Sequence, residues 1–253
     1  MSLIENLHNN LIFYPTKEIF STPSRMGIGY EEVFIDTEDG EKLYGYFLAA
    51  KEKTNKVFIY LHGNAQNVGD WWLAPAEIQK YININALLID YRGYGKSTGT
   101  PSIEGANLDA MAMHNYLLIE RDFKPENISI YGRSMGGAIG IELATKVQIK
   151  SITVQSSFLS LRKIAKDLYP LIPEILVQGK HWDSEKLIKN IKVPILISHG
   201  DKDEIIPVSH SYELYKLANE PKKLIILKGS SHNDVSSYFN NEYFETLNEL
   251  LLK

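Results

Sequence analysis

An α/β chain is what this sequence predicts, with a mainly parallel, twisted sheet of about eight strands, helices on both faces and a small cap. Three observations carry that expectation. Short apolar runs of strand length at 56–61, 86–90, 128–131, 151–155, 193–198 and 224–227 recur between stretches of helical period. Such alternation folds into parallel strands joined by crossover helices. Several of these runs are apolar throughout, as expected of strands covered on both faces. One of them, finally, passes through Gly132-Arg133-Ser134-Met135-Gly136 into a small, apolar helical stretch, a strand–turn–helix with a serine at its apex.

Taken in order, Leu3, Ile4, Leu7, Leu11 and Ile12 fall at near-helical spacing and stop before Pro15, which predicts a short amphipathic helix docked on the body of the domain. Its alternative is a helix lying on a membrane surface, which the absence of Lys and Arg from this stretch disfavours. Residues 31–37 and 42–50 read as two strands joined by the turn Glu38-Asp39-Gly40. The strand at 56–61 runs into His62-Gly63-Asn64-Ala65, with a helix at about 68–80, and the strand at 86–90 ends in Tyr91-Arg92-Gly93-Tyr94-Gly95-Lys96-Ser97. A helix follows at 102–120. Residues 156–192, with Pro170 and Pro173, break the strand–helix rhythm and are assigned to the cap. The strand at 193–198 enters His199-Gly200-Asp201-Lys202-Asp203, a helix follows Pro207, and the strand at 224–227 enters Gly229-Ser230-Ser231-His232. A last helix carries Tyr238, Phe239, Phe244, Leu247 and Leu251. No repeat or linker divides the chain, so one domain over 1–253 is expected.

Composition narrows the function classes. With 253 residues, 44% of them hydrophobic and 23% charged, the chain can bury a large core. A net charge of −4 and pI near 6.0 leave no footprint for nucleic acid. The absence of cysteine excludes disulfides, a thiol nucleophile and thiolate metal sites. No apolar run approaches the roughly 20 residues of a membrane span, and the N-terminus lacks the basic start and apolar middle of a secretion signal. The expected location is the cytoplasm, with peripheral membrane contact or loss of an N-terminal anchor as alternatives.

The chemistry centres on Ser134. In a sharp strand-to-helix turn, side chains at the flanking positions would clash, and Gly132, Gly136 and Gly137 remove them. The plain alternative is a chance match in which Ser134 caps the helix. A serine nucleophile needs a base and the base needs an acid, which in this kind of sheet follow in the order serine, acid, histidine. Of seven histidines, His232 alone follows the last expected strand, where sites form at strand carboxyl ends. Asp203 is the preferred acid and Asp201 is read as shaping its turn, with Asp183 and Asp234 as weaker candidates. His62 and His199 each precede a glycine and are read as ordering their loops. An oxyanion hole needs two backbone N–H groups, which Met135 and Asn64 are expected to supply, with Ala65 as the alternative to Asn64. Phe158, Leu159 and Tyr169 of the cap are candidates for substrate binding, or for core. Gly95-Lys96-Ser97-Thr98 fails as a phosphate-binding loop because Asp90 stands where its first glycine is required. No metal site or cofactor is expected.

With these stretches in place, the chain resembles the α/β-hydrolase superfamily over nearly its whole length. More narrowly, it is similar to the branch of small serine hydrolases that includes the bud-emergence type proteins and the depalmitoylating hydrolases. The stretches that carry this likeness are Leu61 to Ala65, Asp90 to Ser97, Gly132 to Gly137, His199 to Asp203 and Ser231 to Asp234. The resemblance implies Ser134 as nucleophile, Asp203 as acid and His232 as base, with Asn64 and Met135 bounding the oxyanion hole. Ser156-Ser157-Phe158 departs from a Ser-Pro-Phe common in relatives, which leaves the shape of the cap open. The expected activity is hydrolysis of carboxylic esters or thioesters, on a small-molecule or lipid acyl substrate, through an acyl-enzyme. A peptidase or amide hydrolase on the same residues, or a non-catalytic binding protein, are the alternatives.

Overall fold

The structure, a computed structural model, describes residues 9, 11–168 and 182–253. Eight strands form one sheet: β1 (Glu31–Asp36), β2 (Lys42–Leu48), β3 (Val57–Leu61), β4 (Asn85–Ile89), β5 (Ile128–Arg133), β6 (Ser151–Gln155), β7 (Ile195–Gly200) and β8 (Lys222–Leu227). Their order across the sheet is β8-β7-β6-β5-β3-β4-β2-β1. Strand β2 is antiparallel to β1 and to β4, and the remaining pairs are parallel. The expected hairpin therefore forms one edge, closed by Gly40 at φ 89° and by the Thr37 hydroxyl accepting from Glu41 N at 2.9 Å.

Register decides where the site lies. Leu61 faces Gly132, Arg133 faces Gln155, Gln155 faces Ser198, and Leu227 faces Gly200. The carboxyl ends of β3, β5, β6, β7 and β8 thus reach one rim, and the loops that leave them converge there. Period-two alternation splits the core in two. Val57, Ile59 and Leu61 join the cluster under α2 (Ile103–Ile119) and α3 (Met135–Ala144), whereas Phe58 and Tyr60 join the one under α1 (Leu73–Tyr81) and α6 (Asn241–Leu252). Helices α4 (Leu161–Leu168) and α5 (Ser209–Leu217) complete the set used below. The helix starts are local: Ser102 caps α2 by accepting from Gly105 N, and Asn240 caps α6 by accepting from Tyr243 N.

Two helices differ from expectation. The helix foreseen at 68–80 is a single turn, Val68–Trp71, followed by α1; Pro75 has no N–H to offer the Trp71 carbonyl, so the ladder lapses there. Tyr238 and Phe239 precede α6 rather than belonging to it, because Asn240 caps the helix behind them. Among the expected cap residues 156–192, α4 and the turn Ser184–Leu187 are described. The remainder, with Pro170, Pro173 and most of the N-terminal stretch at 3–12, lies outside the described residues.

Backbones approach closely where α3 meets β3 and β5. A Cβ at Gly136 would lie 2.0 Å from the Leu61 carbonyl oxygen, and one at Gly132 would lie 2.3 Å from the Gly136 carbonyl oxygen. Both obstacles are backbone and cannot turn aside. Gly136→Ala should therefore lower unfolding stability by about 2–4 kcal/mol in urea titration. Gly29→Ala, where nothing lies within 4 Å, is the control and should stay within about 0.5 kcal/mol of the parent.

Candidate active site

Ser134 sits between β5 and α3 at φ 55°, ψ −120°, a region sparsely populated for residues other than glycine and costing on the order of 1–3 kcal/mol. Its backbone is fixed on both sides: Ser134 N donates to Gln155 O at 2.8 Å, and Ser134 O accepts from Gly137 N at 3.0 Å. The side chain makes no capping bond to α3, so the plain helix-cap alternative does not describe it. Its Oγ instead lies 3.2 Å from His232 Nε2.

His232 arrives on the loop after β8, and its Nδ1 lies 2.7 Å from Asp203 Oδ2. Because a carboxylate only accepts, Nδ1 carries the proton and Nε2 presents its lone pair to the Ser134 hydroxyl. Asp203 lies on the loop after β7 with its side chain fully buried. Its Oδ1 accepts from Ile205 N at 3.0 Å and Ile206 N at 2.7 Å. Burial alone would raise this carboxyl; hydrogen bonds from His199, His232 and Ile206 N outweigh it and hold the group well below the usual carboxylate range. Asp201, by contrast, turns away and accepts from Gly229 N at 2.6 Å, tying the β7 loop to the β8 loop. Asp234 accepts from Ser231 N at 2.7 Å inside the histidine loop, and Asp183 pairs with Lys186.

The loop after β3 runs beside the serine: a Cβ on Gly63 would stand 3.8 Å from Ser134 Cβ and 3.1 Å from the Trp71 ring. Asn64 in this loop is held at three points. Its carbonyl accepts from Tyr14 N at 2.8 Å and from Tyr94 Oη at 2.6 Å, and its Nδ2 donates to Ile12 O at 2.9 Å. Beneath it, Tyr91 Oη donates to His62 O at 3.2 Å and Asp90 Oδ1 accepts from Val68 N at 2.7 Å. Burial pushes the His62 imidazole down to about 4, so the ring is neutral at pH 7, and its Nδ1 lies 2.7 Å from Gly63 O. Burial also lifts the Asp90 carboxyl well above its usual range. Met135, next after Ser134, opens α3, where the first amides of a helix lack intrahelical acceptors and the dipole is positive.

Comparison with known proteins agrees with this architecture. A family model described as "alpha/beta hydrolase fold" matches residues 56–176. The protein YfhR of Escherichia coli K12 is 30% identical over 93% of this chain and 84% of its own length. Protein bem46 of Schizosaccharomyces pombe is 30% identical over 93% of this chain and 81% of its own length. The chain belongs to the α/β-hydrolase superfamily. An esterase of Pyrococcus furiosus superposes with a TM-score of 0.76 at 24% identity, covering 95% of this chain and 97% of its own, and so shares the α/β-hydrolase fold.

Within this α/β-hydrolase scaffold, the two described substrate-binding candidates lie inside. Phe158 and Leu159 are buried with Ile164 and Trp182 in the larger core cluster, and Leu159 N donates to His210 Nδ1 at 3.0 Å. Tyr169 lies outside the described residues. Among the described residues no helix is long and apolar enough to cross a membrane, and no group of three or more His, Asp or Glu side chains is arranged to hold a metal ion.

Two further residues, Arg133 and the loop-ordering His199, touch the members of this site. Arg133, the variable position of the serine motif, donates from Nη2 to His232 O at 2.9 Å and lies 5.1 Å from the centre of the Trp71 ring. Trp71 in turn donates to Ala65 O at 2.8 Å. This bridge links the histidine loop to the loop after β3. The only local signal was a charged residue between a buried strand and a glycine-rich helix. His199 is the other, within 3.1 Å of Asp203 Oδ2.

The depressed Asp203 carboxyl has a consequence for stability. A group with a lowered folded pKa stabilises fully above its unfolded value, about 3.9, and loses that contribution as pH falls through the folded value. Between pH 5 and 2 the unfolding free energy of the parent should therefore fall more steeply than that of Asp203→Asn. Parallel slopes in urea titrations across that range would contradict this.

Proposed function

We propose that this α/β-hydrolase cleaves carboxylic esters or thioesters through an acyl-enzyme on Ser134, with His232 as base and Asp203 as its orienting acid. The observation that carries the reading is the unbroken chain from Ser134 Oγ through His232 to Asp203, at 3.2 Å and 2.7 Å. A helix-capping serine would not be aimed this way, and its partly exposed position between buried neighbours leaves the hydroxyl open to a substrate.

The chemistry follows from the proton positions. His232 Nε2 takes the Ser134 proton as Oγ attacks the acyl carbon, and the imidazolium that forms is stabilised by the Asp203 carboxylate. The carbonyl oxygen becomes an oxyanion, held in this proposal by the Met135 and Asn64 amides beside the positive end of α3. Collapse expels the alkoxide or thiolate, which leaves with the proton from Nε2. Water then gives its proton to the same nitrogen, attacks the acyl carbon and releases the carboxylic acid, restoring Ser134. The clamp on Asn64 supports its assignment, because a residue tied through its carbonyl and its side chain keeps its backbone N–H in place when charge develops. The substrate class is a small-molecule or lipid acyl ester; Phe158, Leu159 and Tyr169 are proposed for its acyl side.

The test is a panel of p-nitrophenyl esters from acetyl to palmitoyl, with a matched anilide, run on the parent and on Ser134→Ala. Ester turnover should fall by roughly 10³-fold or more in the variant, and the anilide should be the poorer substrate. Ester cleavage persisting at the parent rate in Ser134→Ala would overturn the proposal, and faster anilide cleavage would make the chain an amide hydrolase.

A further inference from the structure

We infer that His199 is a positioning residue for Asp203, the inner member of a chain Ser211–His199–Asp203–His232–Ser134, an inference that rests on the serine-hydrolase reading above. His199 lies near the end of β7, fully buried. Its Nε2 lies 3.1 Å from Asp203 Oδ2 and 2.8 Å from the Ile206 carbonyl oxygen, and its Nδ1 lies 2.6 Å from Ser211 Oγ on α5. A carbonyl can only accept, so Nε2 carries the proton and donates it to Ile206 O, with Asp203 Oδ2 standing 3.1 Å from the same nitrogen. Nδ1 is held by its hydrogen bond with the Ser211 hydroxyl. Ser211 is itself fully buried, and the ring is fixed at both nitrogens.

Asp203 is the group on which His199 acts. An ionised carboxylate offers about four acceptor sites. Here Oδ1 receives Ile205 N and Ile206 N, while Oδ2 receives His232 Nδ1 and has His199 Nε2 3.1 Å away. Three of those groups come from the loop of Asp203 itself and from His232; the fourth is rooted in the sheet. Backbone donors hold Oδ1, and among the described residues His199 is the second group within 3.1 Å of Oδ2, beside His232. Remove His199 and a buried oxygen loses a neighbouring N–H, the carboxylate gains freedom to turn, and the imidazole loses its fixed orientation. Hydrogen bonding from His199 also stands beside that from His232 among the causes that hold the Asp203 carboxyl low. The charged group facing His199 is Asp203; Ser211 and the Ile206 carbonyl are neutral.

A histidine that merely staples the β7 loop to α5 would affect stability and leave kinetics alone. The experiment compares the parent, His199→Leu, His199→Gln, Ser211→Ala and Ser134→Ala on the best ester of the panel, with kcat, KM, the acid limb of kcat/KM and Tm. With His199→Leu, kcat should fall roughly ten- to hundred-fold at a KM within about threefold. The carboxylate facing His232 would then be held differently, so the acid limb should move away from its parental position. His199→Gln can place an amide N–H near the Nε2 position and should restore most of kcat and return the limb. If His199→Leu does not fold, Ser211→Ala decides, with a several-fold fall in kcat expected. The inference is overturned by a folded His199→Leu with parental kcat and an unmoved limb, or in its absence by a Ser211→Ala variant with parental kcat. Turnover that Ser134→Ala does not reduce would instead overturn the serine-hydrolase reading itself, whatever the His199 variants show.

Discussion

Everything at this site depends on one steric constraint: a serine held in left-handed backbone geometry where a helix is pressed onto a strand. At φ 55° Ser134 occupies a conformation it would leave if it could. It cannot, because Gly132 and Gly136 let β5, β3 and α3 approach to distances that exclude even a methyl group, and because its N–H and carbonyl are both committed. The strain is borne by packing across three elements, and its result is a hydroxyl lifted clear of the helix it begins. The strand-to-helix turn at Ser134 is thus a property of the core as much as of the loop.

The second constraint is register. Parallel pairing brings the ends of β3, β5, β7 and β8 to one rim, and the loops there hold one another. Asp201 binds Gly229 N, Arg133 binds His232 O, and Trp71 beneath the Arg133 guanidinium binds Ala65 O. The segment before β1 adds a strap. Tyr14–Pro15 pairs in parallel with Ala65–Gln66, and Asn67 Nδ2 donates to Thr16 O at 3.1 Å and Glu18 O at 2.7 Å. Asn64 and His232 are therefore placed by neighbours distant in sequence, which is how loops achieve the precision of a sheet.

What the sequence made legible was what local sterics and order determine. Six of the strands show as apolar runs, and the glycines around Ser134 mark a turn that tolerates nothing larger. Strand order along the chain singles out His232. Asp203 over Asp201 was a finer choice; the structure sets Asp203 against His232 and Asp201 against a backbone amide. Other features were not legible because they depend on partners far along the chain. Edge strand β8 begins at Lys222, two residues earlier than its apolar run, since an edge exposed on one side accepts lysines. Arg133 and His199 look like loop residues until the β8 loop and α5 arrive beside them. Phe158 and Leu159 carry no signal that distinguishes core from cleft, because both need the same residue types.

The most direct test of the central claim, that Ser134 is an activated nucleophile, is covalent capture. The protein is treated with a fluorophosphonate at neutral pH, and the adduct is located by peptide mass spectrometry in the parent and in His232→Ala. The account predicts one phosphonyl group per chain, on Ser134, forming far more slowly without His232. An unlabelled parent, or an adduct on another residue, would contradict it.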